Sequence, residues 1–518
     1  MKNSVQLFFL FFLFAFSACT TSSDGLSSSP FGVCAHLQSG SEHRQMPKNL
    51  QMMRDAGIRW VRVDFSWSGI ESPRGTWTFD HIDRVVEETE KAGLTVSALL
   101  LYNVAWANPA YQHLDLWLQY VEKTVTRYKD KVRYWEVWNE PNLFWENPNG
   151  ADYAILLEAT YRKIKEIDPA LTVLYGGTSG IPMTFLEESL KAGVGAFFDV
   201  VNIHPYRGRL NTMDKLIHYQ DDLVNLRKLM EQYHIGSKKI WITEMGWSTW
   251  RTLNSSTKEL FGQEQGKIDK SEKKGSFAVL FDTTYQSDSN LSVDTIRSWF
   301  SDDQGIDIIQ IEDLKQGDLQ KYQALFVPPW EEYEAGWLFE AIIPNVFSYM
   351  HKGGKLYFYG DGAITEEEQA SYLSQSILLS LRLGVERYFW YEFQSPEDSP
   401  FDREDHFGLV SRQLNPKPSY LAYAALSNVF SEGSVVDTSL TWNEDDFCRI
   451  KWKQKDGTCV WAVWSPKGHR EVKIKIGGDF QYALDLYGNR LSITRQTSTL
   501  SIGSGTIYLV GPDSLTFK

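Results

Sequence analysis

From Phe31 onward the chain alternates between two hydrophobic periods. Short apolar, β-branched and aromatic runs read as buried strands. The stretches between them repeat their apolar residues every three or four positions, as amphipathic helices do. The spacing predicts strands at Phe31–His36, Trp60–Phe65, Thr95–Leu101, Tyr134–Asn139, Thr172–Tyr175, Val200–His204 and Lys239–Glu244. It predicts helices at Pro47–Ala56, His81–Ala92, Leu114–Lys129, Ala151–Ile167 and Gln220–Tyr233. Seven strand–helix steps are one short of a closed eight-fold barrel. The eighth is displaced: a helical pattern over Thr365–Leu383 leads into Gly384–Phe393, which reads as the last strand. An α/β chain is expected, with a (β/α)8 barrel built from residues 31–251 plus 363–430.

The interruption at 252–362 opens with a Lys/Glu/Ser-rich linker and continues as strand Phe277–Asp282, helix Val293–Phe300, strands Asp307–Glu312 and Ala324–Pro328, helix Trp337–His351, and a strand ending in Gly360-Asp361-Gly362. Successive βαβ units of this length predict a small doubly wound α/β domain inserted after the seventh strand. It resembles flavodoxin-like or amidotransferase-like folds. The segment holds no cysteine, so amidotransferase chemistry, which needs a thiol nucleophile, is not available to it. A structural or homo-oligomerising role is expected instead. After Val429 short alternating runs are separated by turn signals such as Asp456-Gly457 and Tyr487-Gly488-Asn489, which predicts a C-terminal β-sandwich over 431–518.

Two strand ends carry the candidate chemistry. Tyr134-Trp135-Glu136-Val137-Trp138-Asn139-Glu140-Pro141-Asn142 and Trp241-Ile242-Thr243-Glu244-Met245-Gly246-Trp247 are apolar runs that deliver a carboxylate and then break at Pro or Gly. In a barrel the C-terminal ends of the strands assemble the site, so Glu140 and Glu244 face each other across its mouth. Two such acids suffice to cleave a glycosidic bond: one protonates the leaving oxygen while the other attacks carbon or activates water. A separation of about 5–5.5 Å means retention of configuration, and roughly 6.5–9.5 Å means inversion. No Cys/His cluster has metal spacing, and the chemistry needs neither metal nor organic cofactor. A net charge of −14 argues against nucleic acid as partner. Aromatic residues make up 14% of the chain, enough to supply flat platforms for sugar faces.

Asn139-Glu140-Pro141 ending strand four, together with a Glu ending strand seven, resembles glycoside hydrolase clan A, whose members are retaining enzymes on TIM barrels. The resemblance implies that Glu140 is the general acid/base, Glu244 the nucleophile and Asn139 a partner of the sugar 2-hydroxyl. It implies that Arg62, in Gly57-Ile58-Arg59-Trp60-Val61-Arg62, keeps Glu244 ionised. It also implies that His204 and Tyr206, in His204-Pro205-Tyr206, contact the site, and that Trp390 lies beneath the bound sugar with Glu392 on the same strand face. His36, ending strand one, and Trp106 are further substrate-binding candidates. Trp67, Trp145 and Trp247 also sit on or just after strand ends, with burial in the core as the alternative for each. Glu136 reads as a structural acceptor deeper in the barrel. Within the clan, Phe65-Ser66-Trp67, Ile70-Glu71-Ser72-Pro73-Arg74-Gly75, Phe407-Gly408-Leu409 and Pro416-Lys417-Pro418-Ser419-Tyr420 look like family 39, which includes β-xylosidases and iduronidases. The 252–362 insertion departs from that family's pattern. The resemblance implies a carbohydrate substrate such as a β-glucan or xylan, with endo and exo action both open and location favouring endo. A glycan-binding protein without turnover is the alternative.

At the N-terminus, Lys2, an apolar run over Leu7–Phe16 and Ser17-Ala18 before Cys19 form a secretory signal resembling a bacterial lipoprotein box. Residues 1–18 are then the signal peptide, Cys19 the lipidated residue and the Ser/Thr-rich 19–30 a flexible tether. This predicts an exported protein, lipid-anchored to a bacterial membrane at the outer membrane or cell surface. Ordinary cleavage near Ala18, with Cys19 incidental, is the alternative. Of the other cysteines, Cys34 reads as a core residue, and Cys448 and Cys459 flank a turn on candidate neighbouring strands without a register that establishes a bridge.

Overall fold

The computed structural model describes residues 28–249 apart from 144–147, 209 and 211, short stretches between 277 and 358, and 364–517 apart from 398–403, 439–446, 467, 478–479, 494–497 and 512–513. The expected signal peptide, Cys19, most of the expected tether, Trp145 and the residues from 250 to 276 lie outside the described residues.

Eight parallel strands close into a barrel. They are β1 (Phe31–Cys34), β2 (Trp60–Asp64), β3 (Thr95–Leu100), β4 (Tyr134–Val137), β5 (Thr172–Leu174), β6 (Val200–His204), β7 (Lys239–Met245) and β8 (Val385–Trp390). Phe31 pairs with Tyr388 to close the ring between β1 and β8. The β5–β6 seam is thin, with Leu174 opposite Val200, and a two-residue strand, Thr178–Ser179, continues it against Ile203 and His204.

The alternation of side chains along each strand sorts the barrel into an outer and an inner set. Outward residues such as Val61, Trp135, Val173, Ile203, Ile242 and Trp390 pack in the large core shared with the helices. The helices meet them with an apolar stripe; Asp80–Lys91, for example, buries Ile82, Val85, Val86 and Thr89 at helical spacing. Inward residues at the bottom form an aromatic floor of Trp60, Trp241 and Phe389 with Leu174 and Val200. Trp60 and Trp241 meet edge-on at 5.5 Å, and the Arg387 guanidinium lies 4.2 Å from the Trp60 ring. Each such aromatic pair adds about 0.5–1.5 kcal/mol beyond the area it buries. The next inward layer is polar: Arg62, Glu136, Asn202 and Thr243 are all buried.

Helix Glu366–Arg382 opens on a capping box made by Thr365 and Glu368 and is buried continuously from Gln369 to Leu381. Its serines are accommodated by bonding: Ser380 donates to the Ser376 carbonyl, and Ser374 meets Thr506 of the C-terminal domain at 2.7 Å. That domain is a sandwich of a six-stranded and a three-stranded antiparallel sheet. Strand Cys459–Trp464 explains its unbroken apolar run, since Trp461 and Val463 face the smaller sheet while Val460, Ala462 and Trp464 join the barrel's core. In this register Cys448 lies opposite Trp464, and Cys459 opposite Lys453. Five residue steps, about 17 Å, separate the two thiols along the ladder, beyond disulfide reach, and both are free. In the inserted segment the described strands Phe277–Leu280, Ile306–Ile309, Ala324–Val327 and Lys355–Phe358 pair in parallel in the order second, first, third, fourth, a doubly wound arrangement. Among the described residues no helix is long and apolar enough to cross a membrane.

Candidate active site

A cavity of about 340 Å³ opens at the C-terminal ends of the strands. Glu140, Glu244, Asn139, Arg62, His36 and Tyr206 line it, together with Asp64, Tyr102, Tyr391, Glu404 and Phe407. One carboxylate oxygen of Glu140 and one of Glu244 lie within 4.8 Å of each other.

Strict alternation would send one of each neighbouring pair outward, and two local distortions prevent that. Between Ile242 and Met245 β7 advances three residues while β8 advances two, from Tyr388 to Trp390. The extra residue is a bulge, which lets both Thr243 and Glu244 face inward. After β4, Trp138 and Glu140 adopt left-handed backbone angles, φ 72° and 43°. Asn139 and Glu140 therefore both reach the cavity, while Trp138 turns into the core beside Trp117.

Arg62 is the hub of the polar layer. Its Nε and Nη2 donate to the two oxygens of Glu136 at 2.8 and 2.9 Å, its Nη1 to Glu244 Oε2 at 2.9 Å, and its Nη2 also to Asn139 Oδ1 at 2.8 Å. With Oδ1 engaged, the amide nitrogen of Asn139 is what remains for a sugar hydroxyl. Tyr206 donates to Glu244 Oε1 at 2.7 Å, and burial holds its phenol pKa well above the usual value, so it stays a donor. Both oxygens of Glu244 are thus held. Burial raises the Glu244 pKa and the nearby Glu140 charge adds to this, opposed by Arg62 and the Tyr206 hydrogen bond.

Glu140 is held from beneath. His204 Nδ1 lies 3.1 Å from Glu140 Oε1, and its Nε2 lies 3.0 Å from Thr243 Oγ1. Burial lowers the His204 pKa to about 4, leaving the ring neutral at pH 7. A Cβ at Gly177 would fall 1.9 Å from Nε2, so only glycine leaves room for the ring. At the rim, His36 faces Glu392 at 3.3 Å and Asp64 at 4.0 Å. Against the desolvation of burial, these carboxylates and Glu42 lift its pKa to about 10.

The structure therefore corrects several expected roles. Trp390 is not beneath the cavity: β8 points Phe389 inward and Trp390 outward, where it is fully buried beside Trp247. Glu392, also fully buried, supports His36 from behind and does not line the cavity. Trp106 packs on Trp67 and donates to the Ser72 carbonyl, away from the cavity lining. His204 has no exposed surface and holds Glu140, out of reach of a sugar. Arg62 is wholly committed to Glu136, Glu244 and Asn139. Sequence reasoning missed Tyr102, Asp64, Tyr391, Glu404 and Phe407. Strand parity would have found Asp64, two residues beyond Arg62, whereas Tyr391 follows only once Phe389 is seen to point inward. Cys34, buried as expected, donates its thiol to the Thr243 carbonyl at 3.0 Å and touches the cavity floor.

Comparisons with known proteins agree with this architecture. A glycoside hydrolase 42 family model, described as beta-galactosidase, matches residues 38–100. A beta-xylosidase of Geobacillus stearothermophilus is 34% identical over 118 residues, covering 21% of this chain and 23% of that protein. Beta-glucosidase 47 of Arabidopsis thaliana is 26% identical over 117 residues, covering 20% and 21%. The chain thus spans under a quarter of the curated relatives it matches. Among solved structures, a family 39 glycoside hydrolase from the gut symbiont Bacteroides cellulosilyticus WH2 superposes with a TM-score of 0.62 at 20% identity, over 93% of this chain and 80% of that one. A GH39 beta-xylosidase from Caulobacter crescentus superposes with a TM-score of 0.52 at 14% identity, over 93% and 96%. The fold these chains share is the closed (β/α)8 barrel carrying an accessory β domain.

Proposed function

We propose that the protein is a retaining glycosidase that cleaves β-linked, uncharged glycans. The observation that carries this reading is that one oxygen of Glu140 and one of Glu244 come within 4.8 Å of each other across a shared cavity, an approach that suits the close pair of a retaining enzyme, whose carboxyl groups stand about 5–5.5 Å apart. Arg62 and Tyr206 hold Glu244 as an oriented anion, suited to attack on the anomeric carbon. Glu140 protonates the departing oxygen, then removes a proton from the water that hydrolyses the glycosyl–Glu244 ester. Asn139 Nδ2 is placed to bind a hydroxyl of the reacting sugar.

The lining supports a neutral substrate. Asp64, Glu244 and Glu404 bring negative charge, while the described cations, Arg62 and His36, are already paired with Glu136, Glu244 and Glu392. A uronic acid would meet repulsion without a free cation among the described lining residues in compensation. Glu140, His204 and Glu244 also converge closely enough to hold a metal ion. Arg62 Nη1, 2.9 Å from Glu244 Oε2, already pairs that carboxylate with a positive charge, which favours the carboxylate reading.

We further propose that Cys19 is acylated and tethers the enzyme to a bacterial surface, as Ser17-Ala18-Cys19 and the Ser/Thr-rich stretch after it suggest. On this reading labelled palmitate enters the wild type and not Cys19→Ala. The inserted sheet is proposed to serve structure or self-association, for which light scattering of the full chain is the measurement. The functional test is digestion of β-glucan, xylan, galactan and a uronic-acid polymer, with products sized to separate endo from exo action. Release of neutral sugars that is abolished in both Glu140→Gln and Glu244→Gln is expected. Binding without turnover, or normal turnover by either variant, refutes the reading.

A further inference from the structure

We propose that Thr243, with Asn202 behind it, is a positioning residue that fixes the tautomer of His204 and thereby keeps the transferable proton of Glu140 on the oxygen His204 does not hold. The inference rests on the reading of Glu140 as acid/base and assigns roles to two residues which that reading leaves unused.

The hydrogen count leads to one arrangement. Asn202 Oδ1 accepts from the Thr243 backbone N–H at 3.2 Å, which orients the amide so that Nδ2 donates to Thr243 Oγ1 at 2.8 Å. The hydroxyl therefore accepts from Asn202 and has a single hydrogen to give. Two acceptors lie near it: His204 Nε2 at 3.0 Å and Glu136 Oε1 at 3.4 Å. Glu136 Oε1 already accepts from Arg62 Nη2 at 2.9 Å and from the Gly177 N–H at 3.1 Å, which occupy its two lone pairs. The Thr243 hydrogen goes to His204 Nε2. A neutral ring whose Nε2 accepts carries its proton on Nδ1, and Nδ1 then donates to Glu140 Oε1 at 3.1 Å.

The consequence for catalysis follows. Oε1 is occupied as an acceptor, so the acidic hydrogen of Glu140 sits on Oε2. As that hydrogen passes to the leaving oxygen, the C–O bond electrons go with the leaving group, Glu140 becomes an anion, and the Nδ1–H···Oε1 bond turns from neutral to charge-assisted. It strengthens in the transition state, where an interaction accelerates the reaction. In the opposite tautomer Nδ1 accepts, and Glu140 would spend its proton on an O–H···N bond pointing away from the sugar. The charged groups facing this ring are Glu140, Glu244 (3.8 Å from Nδ1), Glu136 (3.9 Å from Nε2) and Arg62, which lies beyond Glu136 and Glu244.

The direct test is nitrogen NMR of the full chain labelled with 15N-histidine, the His204 signals identified by their loss in His204→Gln. A neutral ring protonated on Nδ1 is expected in the wild type, and a ring protonated on Nε2 overturns the proposal whatever the activity. The kinetic test compares wild type, Thr243→Val and Thr243→Ser on aryl β-D-xylosides and β-D-glucosides with leaving groups from 2,4-dinitrophenol to phenol. For Thr243→Val we expect kcat/KM to fall about tenfold or more with phenol and less than about threefold with dinitrophenol, which needs little proton donation. Thr243→Ser restores the hydroxyl and is expected to recover most of the loss. An equal loss across leaving groups, or no recovery with serine, overturns the relay. Failure of the parent reading is separable, because it shows as missing leaving-group dependence in Glu140→Gln.

Discussion

Replacing Tyr206 by Phe removes one hydroxyl from the nucleophile and little else. That hydroxyl donates to Glu244 Oε1 at 2.7 Å, while Arg62 holds Oε2. A hydrogen bond to a charged group contributes about 1.5–3 kcal/mol. At about 1.36 kcal/mol per pKa unit this corresponds to roughly one to two units. Water reaching the vacated oxygen offsets part of that, so a rise of about one unit in the Glu244 pKa is expected. The direction follows from the chemistry: the bond favours the carboxylate, burial already raises the pKa, and losing the donor raises it further. Glu244 attacks only when ionised, so the acid limb of kcat/KM against pH moves upward by about one unit in Tyr206→Phe. One unit below the wild-type midpoint, activity falls about tenfold, while the loss shrinks on the alkaline side. The assay is kcat/KM from pH 4 to 9 on an aryl β-glycoside, with melting temperature as a control for folding. An acid limb at the wild-type position, with the same proportional loss at every pH, refutes the argument.

Other consequences follow from the same geometry. Burial pushes the Glu42 pKa up to about 8. Because this lies above the unfolded value of 4.5, the protonated acid stabilises the fold below that pH, and the stability is lost as pH rises from 4.5 to 8. Glu42→Gln is expected to flatten the decline in melting temperature between pH 5 and 8.5; parallel declines contradict this. Trp390→Ala is expected to destabilise by about 3–5 kcal/mol in denaturant melts, whereas Tyr391→Ala, at a cavity wall, is expected chiefly to raise KM; the reverse pattern would restore Trp390 as the sugar platform. EDTA is expected to leave turnover unchanged, and loss of activity with rescue by a divalent ion would support the metal alternative at Glu140, His204 and Glu244.

What could be read in the sequence followed the strength of the local signal. The eight strands and most of the helices were legible because strand and helix periods alternate cleanly, although the helices Met183–Lys191 and Pro418–Val429 were not anticipated. Glu140 and Glu244 were legible because each ends a strand ahead of a breaker. Trp390 and Glu392 illustrate what fails. Alternation puts them on one face of an extended strand, but β8 ends at Trp390, which face points inward depends on register, and the bulge in β7 that sets the neighbouring side chains leaves no mark in composition. Tyr102 follows β3 with a left-handed φ of 68°, a backbone state its side chain does not advertise. His204 shows a different limit: the resemblance implies that the ring contacts the site but not which carboxylate it holds, and it lies closer to Glu140, at 3.1 Å against 3.8 Å for Glu244.

The central claim is double displacement through Glu140 and Glu244, and the configuration of the first product tests it most directly. Proton NMR of a β-glycoside during the first minutes of hydrolysis separates the two anomers before mutarotation mixes them. The account predicts that the β-anomer forms first. Initial formation of the α-anomer would mean single displacement by water and would contradict it.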